Sequence, residues 1–396
     1  HSSYVGLFGC IGANGKISNV GVLDSYFQFS ALGGGVCGVN YGVLQNCSNS
    51  STVIGTDNGA IIGGVCGTNN GTVRDCKNTG SVSGGVTIGG VCGLNEKGGI
   101  IENSFNEGTV SGTGDNAQQV GGVSGYNNGT IKSCYNTASV SGQESVGGVC
   151  GFNSVGTITN CFNEGTVSGQ CSVGGVCGIN SKGVITNCFN KGTVRGQIHV
   201  GGVCGYNVDG TFTNCYYNTD FCTVGGINGR DVAGSATGLT TLQMTDGNAL
   251  ETMKFDSEWS KKANDKANGI AYYPNLAVFA DDAPSVKYET KIVIKPSNKD
   301  AEYKYGDEVK FNVSALVKFA ERSSFSILTL QVASPLAIYS EFVPSYSSVN
   351  ILLPVTFIEE MTPSVVVLSK IPVLSTTVSP STVILKLPSL SVAAVL

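Results

Sequence analysis

The residues with the most chemical potential are the cysteines, fifteen in 396 residues, against two histidines. Two sets keep a fixed phase. Cys37, Cys66, Cys92, Cys150, Cys177 and Cys204 form the first; Cys47, Cys76, Cys134, Cys161, Cys188 and Cys215 form the second. Ser124 replaces cysteine in the first set and Ser104 in the second, while Cys10, Cys171 and Cys222 fall outside both. Three chemistries compete for such a pattern. Zinc sites draw on Cys and His at short local spacing, and no Cys-x-x-Cys occurs. Disulfides between successive turns of a repeat would fall within the Cα window of about 4.4–6.8 Å, yet side chains stacked in register point the same way, which makes the bridge dihedral awkward. The favoured reading is the plainest: cysteine is a small, buriable side chain filling a thin interior, and the serine replacements fit a requirement for size. Many unpaired thiols in an exported protein would suit an anoxic habitat.

Other catalytic groups are sparse. His1 is terminal, and His199 sits in Gln-Ile-His-Val-Gly-Gly, where it reads as an outward strand residue. No HExxH, GxSxG elbow, phosphate loop or dinucleotide fingerprint is found, and no calcium-binding GGxGxD repeat. Glu107 and Glu164 share a phase but belong to different repeats; with Asp209 they read as solvated corners rather than a hydrolytic pair. No enzyme, metal or cofactor is expected. One column could bind a ligand. The residue after each second-set position runs Ser48, Lys77, Phe105, Tyr135, Phe162, Phe189 and Tyr216. Phe105, Tyr135, Phe162, Phe189 and Tyr216 could form a platform for glycans or for a partner protein, or a ladder of rings stacking on one another. The ladder is the favoured reading, and exposure discriminates the two.

What must position these columns is a repeat. Gly-Gly-Val begins at Gly34, Gly63, Gly89, Gly121, Gly147, Gly174 and Gly201, at intervals of 29, 26, 32, 26, 27 and 27 residues. A looser copy at residues 4–27 makes about eight units. Periods of this size mean solenoids, propellers or arrays. Short β-prone pieces such as Gly-Thr-Ile-Thr-Asn alternate with Gly and Asn, which read as corners: glycine for positive φ, asparagine for the left-handed region. One coil per unit, with two or three faces, predicts an all-β parallel β-solenoid of about eight coils. Each coil would lie about 4.8 Å from the next, and parallel crossovers favour the right hand. A propeller blade takes more residues, and collagen needs glycine at every third position.

Net charge is −5 and 13% of residues are charged, so no basic patch points to nucleic acid. No apolar run is long enough for a membrane-spanning helix. The chain opens on His1 without a signal sequence, and reads as a piece of a longer protein. All 56 glycines precede residue 307, and seven of the ten prolines follow Val317. The expected organisation is a repeat array over 1–224, a capping segment with a short helix over 225–283, an incomplete β domain over 284–316 and a low-complexity tail over 317–396. In the capping segment Thr240 or Thr241 can N-cap the helix. Leu242, Met244, Leu250 and Met253 give it apolar contacts, and Trp259, Tyr272 and Tyr273 can cover the open core. The tail lacks Gly and Asp, so it cannot supply the turns of a sandwich; an out-of-frame read-through is the sharper reading.

The pattern Val-Gly-Gly-Val-Cys-Gly-x-Asn, then Gly-x-Ile-x-Asn-Cys-(Phe/Tyr)-Asn, then Gly-x-Val-Ser-Gly resembles the GLUG motif over residues 32–219, and more loosely over 4–27. That motif recurs in large bacterial surface proteins, adhesin-like proteins and the non-catalytic parts of IgA-specific metallo-endopeptidases. The resemblance implies an extracellular or cell-wall location, host or cell-surface proteins or glycans as partners, and no catalytic residues. Residues 238–280 resemble the segment that closes such arrays, and residues 287–316 resemble the first strands of a bacterial Ig-like sandwich.

Overall fold

The computed structural model describes residues 4–56, 59–113, 117–230, 235–265 and 270–282, and beyond them the strands Ser285–Pro296, Phe311–Phe319, Phe325–Val332, Val365–Val367, Thr376–Ser379, Thr382–Leu385 and Ala393–Val395. The chain divides into two units. One holds His1–Lys261 with Pro274–Asp282; the other holds Lys262–Tyr273 with Ala283–Leu396.

The first unit is a parallel β-solenoid. Each coil contributes short strands to five stacks rather than to two or three broad faces. One coil shows the plan: Glu144–Gly147, Cys150–Asn153, Thr157–Thr159, Phe162–Asn163 and Val167–Ser168. Like strands of successive coils pair in parallel, giving stacks of eight, eight, eight, nine and seven strands in this order around the coil. The strands stay short because corners interrupt them. The residue before each second-set position, namely Asn46, Asp75, Asn103, Ser133, Asn160, Asn187 and Asn214, has φ between 49° and 54°. Small polar side chains tolerate that region best.

Glycine plays a different part from the one expected. Among the described residues only Gly98 and Gly229 have positive φ. The Gly-Gly pairs serve close approach instead. A Cβ on Gly89 would lie 1.8 Å from the Cys92 carbonyl oxygen, and one on Gly90 would lie 2.2 Å from that of Gly122. The first two stacks therefore pack backbone against backbone, a distance only glycine permits.

Val149 and Cys150 are neighbours, and both are fully buried. A straight strand would turn one of them outward. The chain bends between the strands ending at Gly147 and starting at Cys150. The bend aims both amides at one acceptor: Val149 and Cys150 N–H donate to the Val176 carbonyl at 2.9 and 3.0 Å. The same two-to-one pattern recurs at Val36–Cys37, Val65–Cys66, Val91–Cys92 and Val176–Cys177. The core is the stacked interior of these coils, with Val, Ile and Cys at their fixed phases.

After the last coil, Ala236–Leu239 adds to the fourth stack beside Cys215–Asn218. Helix α1 (Thr241–Thr245) follows, N-capped by Thr240 in a capping box with Gln243. Helix α2 (Ala249–Thr252) comes next. Met244 and Met253 are buried, whereas Leu242 is exposed. In the second unit, Ser285–Pro296 pairs antiparallel with Phe311–Phe319, which pairs antiparallel with Phe325–Val332. Ile270–Tyr272 pairs antiparallel with residues 285–287 within this unit. Most of the expected tail, residues 317–396, lies outside the described residues. No helix among the described residues is long and apolar enough to cross a membrane.

Candidate functional site

The expected aromatic column is real, but it is not an open platform. Phe105, Tyr135, Phe162 and Phe189 lie in register on successive coils, followed by Tyr216. The first four rings stack nearly parallel at centroid distances of 4.7, 4.9 and 5.1 Å. Such stacking occupies ring faces that a sugar would need. The cap covers what remains. Phe279 stands edge-on to Phe105 and Tyr135; Trp259 packs on Phe162 and Phe189; Phe255 meets Phe189 and Tyr216. Tyr135, Phe162, Phe189 and Tyr216 are consequently 7% exposed or less, and Phe105 is half-buried. Polar contacts fix the cap along the corner column. Trp259 Nε1 donates to Asn160 Oδ1 at 3.3 Å, Asn187 Nδ2 donates to Asp256 Oδ2 at 3.3 Å, and Lys132 pairs with Glu258 at 3.2 Å. Trp259 thus covers this ladder, not the open end of the core.

The cysteine columns are ladders too. Cys37, Cys66 and Cys92 lie in register, as do Cys150, Cys177 and Cys204. All fifteen cysteines are free thiols, and all but Cys10 and Cys171 are buried. Size is only part of the requirement. In the first column five of the six thiols donate to the carbonyl two residues ahead, as Cys66 does to Thr68 at 3.1 Å and Cys177 to Ile179 at 3.0 Å. Ser124 does the same to Tyr126 at 2.9 Å. In the second column the donation runs two residues back: Cys76 to Arg74 at 3.2 Å, with Ser104 to Glu102 at 2.8 Å. Serine replaces cysteine because it keeps this donor. Burial pushes the thiols of Cys66, Cys134, Cys177, Cys188 and Cys204 well above their ordinary value, because desolvation penalises a thiolate. These are inert positions. Among the described residues no group of three or more His, Cys, Asp or Glu could hold a metal ion.

Two further ladders escaped the sequence reading. Asn40, Asn69, Asn95, Asn127, Asn153 and Asn180 are wholly buried. Each of the first five donates its Nδ2 to the next Oδ1 at 2.8 Å. Asn49, Asn78, Asn106, Asn136, Asn163 and Asn190 form a second chain at 2.7–2.8 Å. Each amide also closes its own coil, as when Asn136 Nδ2 donates to the Ala138 carbonyl at 2.7 Å. The fixed phase of these asparagines was the available signal; a corner role accounts for a different asparagine column.

Charged groups are few at these ladders. Glu164 and Lys191, on adjacent coils, pair at 3.0 Å, and Glu107 follows Asn106, two coils before the Asn163 that precedes Glu164. Asp209 sits at a left-handed corner with φ 57°. These carboxylates do not converge on a hydrolytic pair. One apolar column stays partly open: Leu94, Tyr126, Phe152, Ile179 and Tyr206 are in register on the second stack, with Tyr206 37% exposed.

Comparison with known proteins agrees with the repeat. The GLUG motif matches residues 142–168 and 169–195, two successive coils of the solenoid. Among solved structures the chain is similar to one described as a "putative immunoglobulin A1 protease from Bacteroides ovatus", at 17% identity and a TM-score of 0.36, covering 67% of this chain and 76% of that one. No curated protein matches the chain. These two coils carry the GLUG motif.

Proposed function

We propose that the chain is a non-enzymatic bacterial surface protein whose GLUG solenoid is a rigid rod, acting outside the cell as a spacer or adhesive shaft. The supporting observation is where the repeated side chains go. The ladder asparagines and stacked rings contact their counterparts on the next coil, and the ladder cysteines lie in register with theirs, so the repeat is spent on templating coils. Host or cell-surface proteins or glycans are the partners this reading calls for. The open column from Leu94 to Tyr206 is the surface an adhesive shaft would use.

The test is made in the full-length surface protein. Coils are added or removed, and the height of a terminal epitope above the cell wall is measured. The spacer reading expects a change of about 4.8 Å per coil, with binding of the terminal domain restored at a matching length. Height independent of coil number would overturn it. A second reading follows from where GLUG motifs occur: this region is the non-catalytic scaffold of a large surface metallo-endopeptidase of the IgA-specific type. It expects an HExxH in the same open reading frame and loss of immunoglobulin A cleavage on coil removal.

A further inference from the structure

Cys171 departs from the cysteine ladders in every respect. It lies on the strand Cys171–Gly174, where its register partners are Glu144 and Ile198, so coil geometry requires no cysteine there. It is half-buried, unlike the ladder thiols. Its Sγ lies 4.0 Å from Nδ1 of His199 and 3.5 Å from the hydroxyl of Ser172.

His199 is equally out of pattern. It has φ 53°, at the corner that Ser145 (φ 49°) and Ser172 (φ 55°) occupy on the preceding coils. Those serines are buried, whereas His199 is exposed. The imidazole stacks on Tyr206 at 4.5 Å, which orients the ring. It also lines a cavity of about 710 Å³ with Tyr206, Asn207, Thr211, Asn228 and Arg230. Among the described residues the lining carries the cation Arg230 and no carboxylate. Guanidinium with amide and hydroxyl donors is a carboxylate-recognising set, and the volume suits a small molecule.

We propose that Cys171 and His199 form a thiol-exchange site, and that the adjoining cavity selects small carboxylate-bearing disulfides. In the step, His199 Nδ1 accepts the Cys171 proton and the thiolate attacks one sulfur of the disulfide. A protein–ligand S–S bond forms while the ligand's own S–S bond breaks. The departing thiolate takes the proton from the imidazolium. The ligand disulfide is the oxidant, reduced to one thiol as Cys171 is oxidised to a mixed disulfide. Glu144, one strand away, opposes both the thiolate and an anionic ligand; selection rests on Arg230 outweighing it.

The native chain is incubated with oxidised glutathione, or with cystamine as its cationic counterpart, and adducts are located by intact mass and peptide mapping. Cys10, an exposed thiol on the first coil, is the internal control. Cys171 is expected to react about tenfold faster than Cys10. His199→Asn keeps a residue suited to positive φ and should remove most of that advantage. Arg230→Gln should lower the preference for glutathione over cystamine, and Glu144→Gln should raise it. Cys171→Ile, copying Ile198 on the next coil, should abolish the adduct with melting unchanged. Equal labelling of Cys10 and Cys171, or a rate unmoved by His199→Asn, overturns the exchange site. Equal rates for the two disulfides overturn the cavity's selectivity.

Discussion

Asn136 shows what a single residue does in this molecule. Its Oδ1 accepts from Asn106 at 2.7 Å, and its Nδ2 donates to Asn163 at 2.8 Å. Removing the amide leaves polar atoms on two neighbouring coils unmatched in a dry interior. Asn136→Leu should cost about 3 kcal/mol in denaturant unfolding, far more than the same change at an exposed corner. The thiol columns make a finer comparison. Cys177→Ser keeps the donor to the Ile179 carbonyl, whereas Cys177→Val, of similar size, removes it. The valine variant should be less stable than the serine variant by about 1 kcal/mol; equal stability would mean that size alone matters. The buried thiols also set an alkaline limit. Unfolded, they ionise near their ordinary value of 9.0; folded, Cys66, Cys177 and Cys204 stay protonated well above it, whereas Cys161, against its burial, is held below it by Cys134 and Cys188 and acts in the opposite sense. Above that pH the unfolded state binds fewer protons, so the stability present below pH 9 falls as pH rises. Unfolding free energy should fall from about pH 9 upward, by at most about 1.4 kcal/mol per pH unit for each raised thiol, with a matching fall in melting temperature that is shallower when several are serine. The sequence made cysteine burial legible through the Ser104 and Ser124 replacements. It left the asparagine ladders unread, because Asn46 at a corner and Asn49 in a ladder are the same residue type three positions apart, and only pairing distinguishes them.

At the scale of the element, the coil is drawn by its glycines and corners. Short strands, parallel pairing and a repeat of 26–32 residues followed from the Gly-Gly-Val spacing alone. The five-stack cross-section did not, because it depends on backbone contact between neighbouring strands rather than on side-chain pattern. Gly89 and Gly12 separate the two uses of glycine. A Cβ at Gly89 meets backbone at 1.8 Å, while nothing lies within 4 Å of one at Gly12. Gly89→Ala should lower stability by about 3 kcal/mol or more, and Gly12→Ala should change it by less than about 0.5 kcal/mol. Thermal melts of the two variants make the comparison, and a tolerated Gly89→Ala would refute close packing between the first two stacks. The cap was legible in part: Thr240 and the two methionines act as their sequence suggests. Trp259 was assigned to the wrong surface, since nothing local says that the chain returns along the aromatic column.

In the solenoid as a whole, the coils are interchangeable units, each held by the ladders to its neighbours. Removing residues 63–88 deletes one complete coil and joins Ile62 to Gly89, whose own register partner is Gly63. The shortened columns then bring Cys37 to Cys92, Asn40 to Asn95 and Asn49 to Asn106, and every cap contact from Phe105 onward is kept. A closed propeller could not lose a unit in this way; an open solenoid can. The measurement is thermal unfolding of the deletion variant, followed by far-UV circular dichroism and amide exchange. The expected result is a folded, cooperatively melting protein with ladder amides protected as in the parent and a slightly lower melting temperature. An unfolded product, or loss of protection in coils far from the junction, would contradict it.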